Sequence, residues 1–97
     1  MKSIYAITPS GVNLEKLIKE IEKMLSVGIK VFQYREKGLS EEQMKINASI
    51  MLEVINKNNG KLIINDSPKI AIEIGADGFH LGMEDYLHYH KSSHQKQ

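Results

Sequence analysis

Two hydrophobic periods alternate along this chain. Residues 3–8 mix β-branched and aromatic types and predict a strand, which Pro9-Ser10-Gly11 breaks. Leu14, Leu17, Ile18, Ile21 and Leu25 then recur at helical spacing, with Asn13 as a good N-cap and Gly28 as the stop. Residues 29–34 form a second strand-like run, ended by Gly38. Ser40-Glu41-Glu42-Gln43 predicts a capping box. The helix it opens places Met44, Ala48, Met51, Leu52 and Ile55 on one side and stops at Asn58-Asn59-Gly60.

Leu62-Ile63-Ile64 is a short apolar run, expected of a strand covered on both faces. Ser67 can cap the next helix, with Pro68 at its first position, Ile70, Ala71 and Ile74 on its apolar side and Gly75 at its end. Gly78-Phe79-His80-Leu81 predicts a fourth strand. The order is βαβαβαβ, which implies a parallel sheet with right-handed crossovers. Residues 27–33 echo residues 74–80: a helix end, a glycine and a strand lead to a polar residue in both, as if one βαβα unit had been reused. The pattern is lost at Tyr86. Residues 1–85 read as one domain and residues 86–97 as a polar, disordered tail.

Composition narrows the classes. The 97 residues suggest one domain, against roughly 250 for a complete (β/α)8 barrel. With 13 basic and 12 acidic residues the net charge is +1, which gives no sign of a nucleic-acid or membrane field. The absence of cysteine excludes disulfides and thiolate metal sites. The N-terminus lacks the apolar core of a signal peptide, and no apolar run approaches the ~20 residues of a membrane span. The expectation is a soluble, cytoplasmic chain. No Gly-x-Gly-x-x-Gly or P-loop pattern appears.

The candidate chemistry lies where strands end. Alternate residues at a strand end face the same way, so Arg35 and Lys37 can face one phosphate-rich ligand, with Gln33 bonding a ring nitrogen or amine. Equally, with Glu36 between them, they can form a solvated charged turn. Asp66 is a hard-oxygen ligand suited to Mg²⁺, with Asn65 beside it for a polar substrate group; the alternative is a cap for the helix near Pro68. After the fourth strand Gly82 permits close approach, and Asp85 offers a second metal carboxylate or simply an acidic loop. His80 reads first as a packed strand histidine. Tyr5 and Tyr34 read as packing or pocket-wall residues. His88, His90 and His94 form a loose cluster that can bind zinc adventitiously.

Taken together, residues 4–8, Gln33-Tyr34-Arg35-Glu36-Lys37, residues 62–66 and residues 75–82 resemble the thiamine-phosphate synthase (thiamine-phosphate pyrophosphorylase) family in order and separation. That family is a TIM barrel joining a hydroxymethylpyrimidine pyrophosphate to a thiazole phosphate, with release of pyrophosphate. The resemblance implies that Gln33 and Asn65 contact the pyrimidine substrate, that Arg35 and Lys37 bind its pyrophosphate as the catalytic cations, and that Asp66 and Asp85 hold Mg²⁺. Neutralising charge on the leaving group would then be the catalytic work. Two departures stand out: Met83 where the family commonly has glutamine, and Thr8-Pro9 in place of the usual Thr-Asp.

The resemblance covers residues 3–85 and the N-terminal half of the barrel. The expected fold is therefore α/β, a truncated TIM-type barrel of four parallel strands and three helices. A half barrel has two open edges and an uncovered inner face, so self-association or pairing with a missing second half is expected. The first functional expectation is a synthase that is weak or inactive alone. A thiazole tautomerase-like enzyme and a non-catalytic oligomerising or ligand-binding remnant are the alternatives.

Overall fold

Three side-chain oxygens start the three helices. In the computed structural model, which describes residues 5–80, Asn13 Oδ1 accepts the Lys16 N–H at 2.9 Å. Ser40 Oγ accepts that of Gln43 at 3.1 Å, and Ser67 Oγ that of Ile70 at 3.3 Å. Each bond satisfies one of the donors that a helix start leaves unpaired. The helices are α1 (Leu14–Ser26), α2 (Glu41–Lys57) and α3 (Pro68–Ile74). Gln43 turns its side-chain nitrogen forward to Asn47 Oδ1 at 2.9 Å. Among the described residues only the forward half of the expected capping box therefore forms. Gly75, at φ 74°, ends α3 in the left-handed conformation.

The strands are β1 (Tyr5–Ile7), β2 (Val31–Tyr34), β3 (Lys61–Asn65) and β4 (Gly78–His80). They lie in the order β1-β2-β3-β4, every pair parallel. The register pairs Ile7 with Gln33, Gln33 with Ile63, Ile63 with Gly78, and Asn65 with His80. Paired residues share a face and neighbours along a strand do not. One face therefore carries Phe32, Tyr34, Leu62, Ile64 and Phe79; the other carries Tyr5, Ile7, Gln33, Ile63, Asn65 and His80. The core is built entirely on the first face, where Phe32, Tyr34, Leu62 and Ile64 meet Leu17, Ile21, Leu25, Met44, Ala48, Met51, Ile55, Ile70 and Ala71.

The second face has no layer over it among the described residues. Tyr5 is 55% exposed and Ile7 51%. Ile63 is only half-buried, which corrects the expectation that β3 is covered on both sides. The cause is topological. Successive crossovers of one hand, between strands placed in order, put every helix on the same side. The molecule is half of a barrel wall, as the expected fold class requires. The internal echo is structural too: Gln33 on β2 and His80 on β4 point to the same face.

Polar bonds fix the N-terminal ends of the strands. Asp77 Oδ2 accepts the Leu62 N–H at 2.8 Å and Asn56 Nδ2 at 3.1 Å, and Asn56 Nδ2 also donates to the Gly60 carbonyl at 2.9 Å. Gly60 sits where the end of α2 passes β2. A Cβ there would lie 2.8 Å from both Ile55 Cγ2 and the Lys30 carbonyl oxygen. No helix among the described residues is long and apolar enough to cross a membrane. Asp85, the His cluster and the tail expected at residues 86–97 lie outside the described residues.

Two predictions follow from this packing. Gly60→Ala forces a methyl against a backbone oxygen that cannot rotate away, so it should cost roughly 1–3 kcal/mol of unfolding free energy in urea. An unchanged midpoint would contradict the close approach. Tyr34 titrates above its ordinary value, chiefly because burial disfavours the phenolate; the Asn47 bond opposes this and the Glu36 charge adds to it. Below pH about 10 the hydroxyl is protonated in both folded and unfolded chains, and its contribution is constant. Above that pH the unfolded chain loses its proton first, so stability falls as pH rises through the folded value. Tyr34→Phe should therefore lose less stability than wild type between about pH 9 and about pH 11.

Candidate functional site

The C-terminal ends of β1 and β2 are tied together through backbone and side chains. Thr8, directly after β1 and 2% exposed, donates its N–H to the Gln33 carbonyl at 2.9 Å. Its hydroxyl Oγ1 accepts the Arg35 N–H at 3.1 Å. Ser10 Oγ donates to the Arg35 carbonyl at 3.3 Å. The Glu36 carboxylate accepts the Gly11 N–H, at 3.1 Å to one oxygen and 3.3 Å to the other. A cavity of about 410 Å³ opens beside this junction, lined by Ile7, Thr8, Pro9, Ser10, Arg35 and Lys37.

Arg35 and Lys37 are exposed, and neither takes part in the ion pairs found among the described residues. A guanidinium fork and an ammonium on one cavity wall suit a multiply charged oxyanion. A larger depression, about 740 Å³, lies on the outer surface of α2 and α3. It holds Glu41, Glu42 and Glu73 against the single cation Lys45, and Lys45 already pairs with Glu73 at 3.4 Å. Its size does not compensate for that acidic lining, and the smaller cavity at the strand ends is the better anion site.

The ends of β3 and β4 carry a second cluster. Asp66 follows β3 at φ 60°, in the left-handed region where aspartate is one of the few tolerated residues with a side chain. Its N–H donates to the His80 carbonyl at 2.6 Å. Asn65 Nδ2 donates to Asp66 Oδ2 at 2.8 Å, and Asn65 Oδ1 lies 3.3 Å from His80 Nδ1. An amide oxygen only accepts, so this contact is a hydrogen bond in the states of His80 that carry a proton on Nδ1. The cap of α3 belongs to Ser67, and Asp66 stands one residue before that cap. The alternative reading of Asp66 as a helix cap is thereby replaced.

The register joins these clusters at one edge of the sheet. Tyr34 pairs with Ile64 and Asn65 with His80, so Arg35 and Asn65 each lie one residue past a paired position on neighbouring strands. The cavity lined by Arg35 and Lys37 does not itself include Asn65 or Asp66. Gln33 lies on the second face between Ile7 and Ile63, and unlike Tyr5 and Ile7 it is buried there, at 8% exposed. Among the described residues no three His, Asp or Glu groups come together to hold a metal. Asp66, as one carboxylate, fits Mg²⁺ carried by a phosphate ligand, because that ion keeps waters and substrate oxygens and needs only one or two carboxylates.

The sequence did not mark Thr8, Ser10 or the Glu36–Gly11 bond as parts of the site. The available signal was two hydroxyls and a glycine directly after the first strand, within reach of a parallel neighbour's end.

Comparison with known proteins gives one consistent result. A family model described as thiamine monophosphate synthase matches residues 4–93. A thiamine-phosphate synthase of Methylococcus capsulatus is 40% identical over 85 residues, covering 87% of this chain and 38% of that protein. One from Nitrosospira multiformis is 38% identical over 82 residues, covering 84% and 35%. The solved structure of a thiamine phosphate pyrophosphorylase from Pyrococcus furiosus superposes with a TM-score of 0.74 at 22% identity, over 86% of this chain and 40% of that one. That likeness establishes the fold. The chain spans about two fifths of the length of the relatives it matches. On the extent of the family match, the chain belongs to the thiamine monophosphate synthase family.

Proposed function

We propose that this half barrel binds the pyrophosphate-bearing pyrimidine substrate of a thiamine-phosphate synthase. The observation that carries the reading is the cavity walled by Arg35 and Lys37, set at a strand end next to Asn65 and Asp66 in a chain of this family. Arg35 grips two phosphate oxygens with its fork, and Lys37 adds a mobile point charge. Gln33 and Asn65 offer amides to the pyrimidine ring. Asp66 would hold Mg²⁺, with Asp85 as its second carboxylate. Bound there, the ion would supply neutralisation of the leaving pyrophosphate.

The chemistry asked of this chain is electrostatic. The bond between the pyrimidine methylene carbon and the pyrophosphate oxygen breaks, and the oxygen leaves with the electron pair. Arg35 and Lys37 stabilise the charge that develops on it. The resulting pyrimidine cation is captured by the thiazole nitrogen, so no protein nucleophile is needed. We assign the thiazole phosphate to a partner surface, and coupling by this chain alone is expected to be weak or absent. The partner reading is supported by the second face, which no layer of the described residues covers and where Tyr5 and Ile7 are more than half exposed, and by β1 and β4, which lack an outer neighbour among the described residues. A second copy, or a separately supplied second half, covers that face.

Calorimetric titration with the pyrimidine pyrophosphate tests the first part. Wild type should bind in a Mg²⁺-dependent way. Asp66→Asn keeps a side chain compatible with the left-handed backbone but removes the charge, and should weaken binding at least about tenfold with Mg²⁺ present. No binding by folded wild type would mean that the motifs are idle and the chain is a remnant. Light scattering tests the partner: a dimer at high concentration is expected, and a strict monomer would rule out the second copy as the cover.

A further inference from the structure

We propose that Glu36 is a positioning residue for the anion cavity, so that anion binding depends on the acceptor oxygen its side chain brings to the Gly11 N–H. This inference deepens the proposed function and rests on it. In sequence Glu36 stands between Arg35 and Lys37, where a carboxylate is expected to repel an incoming phosphate. Its half-buried side chain is directed elsewhere. Both carboxylate oxygens lie within hydrogen-bond distance of the Gly11 N–H, 25 residues away in the chain, at 3.1 and 3.3 Å.

Gly11 has φ 80°, the left-handed conformation that glycine adopts without strain. It follows Pro9 and Ser10, which line the cavity together with Arg35 and Lys37. Thr8 Oγ1 and Ser10 Oγ hold the backbone of Arg35 itself. The Glu36 bond holds the far end of the turn. With it in place, the wall and the two cations are one body. Without it, the most flexible residue of the turn is released, and the wall can move relative to the cations.

Two effects of opposite sign therefore compete at this position. Removing the charge relieves repulsion of the anion, which for exposed, screened groups amounts to about threefold in affinity or less. Losing a charge-assisted bond that fixes the wall weakens binding by roughly tenfold. The positioning effect is the larger.

The test is titration of inorganic pyrophosphate into the full chain carrying three substitutions, with thermal unfolding followed in parallel. Glu36→Ala loses charge and reach and should bind about tenfold more weakly. Glu36→Asp keeps the charge but falls one methylene short of Gly11, and should weaken binding similarly. Glu36→Gln keeps an acceptor oxygen for the Gly11 N–H without the charge, and should bind as tightly as wild type or up to about threefold tighter. Melting temperatures of the Asp and Gln variants should match, which separates positioning from general stability. If all three variants bind as tightly as wild type or tighter, Glu36 acts only as a repelling charge and the inference is overturned while the proposed function stands. If Gln weakens binding as much as Asp, an acceptor oxygen of the right reach does not suffice and positioning through Gly11 is overturned. If folded wild type binds no pyrophosphate, the proposed function falls and this inference falls with it.

Discussion

All three helices pack on one side of the sheet, and the rest of the molecule follows from that constraint. Because the strands run parallel and in sequence order, every connection leaves from a C-terminal end and returns to an N-terminal end. The turns after β1, β2 and β3 therefore gather at one edge, and these turns hold Thr8, Arg35, Lys37 and Asp66. The opposite edge receives the Asp77, Asn56 and Gly60 bonds, which serve to set strand level and carry no candidate chemistry. This separation of ends by task is the general arrangement of β/α barrels. It is present here in the four strands of the described residues.

The same constraint divides the hydrophobic residues into two populations. Phe32, Tyr34, Leu62 and Ile64 have helices over them and are buried. Tyr5, Ile7 and Ile63 have the composition of core residues without a layer above them among the described residues. Tyr34 occupies a middle position. Its ring lies in the core, yet its hydroxyl meets Asn47 at 3.4 Å on α2, so the strand next to the site is anchored to the helix layer by a polar contact as well as by packing.

Local signals were readable because they depend on a few consecutive residues. The three caps, the glycine at the end of α3 and the βαβαβαβ order all appear where the pattern places them. Burial was less readable. Leu62-Ile63-Ile64 looks uniformly apolar, and nothing in the run says that Ile63 lacks a partner layer; that depends on what lies across the sheet. Arg35, Lys37, Asn65 and Asp66 were legible as polar residues at strand ends. The contacts holding them were not, because Glu36 to Gly11 and Asn65 to His80 span 25 and 15 residues. Such pairs become visible only once strand register is known. The capping box shows the opposite difficulty: Gln43 had two local partners available, and the sequence motif does not choose between them.

The left-handed turn at Asp66 limits what mutation can do to the site. Most side chains in that conformation cost roughly 1–2 kcal/mol, so most substitutions at this position are opposed by the backbone alone. Asparagine passes the filter with an oxygen retained, and glycine passes with none. Drift at this position would therefore follow few paths. Where a carboxylate is kept at this position, the backbone alone does not account for the choice over asparagine or glycine.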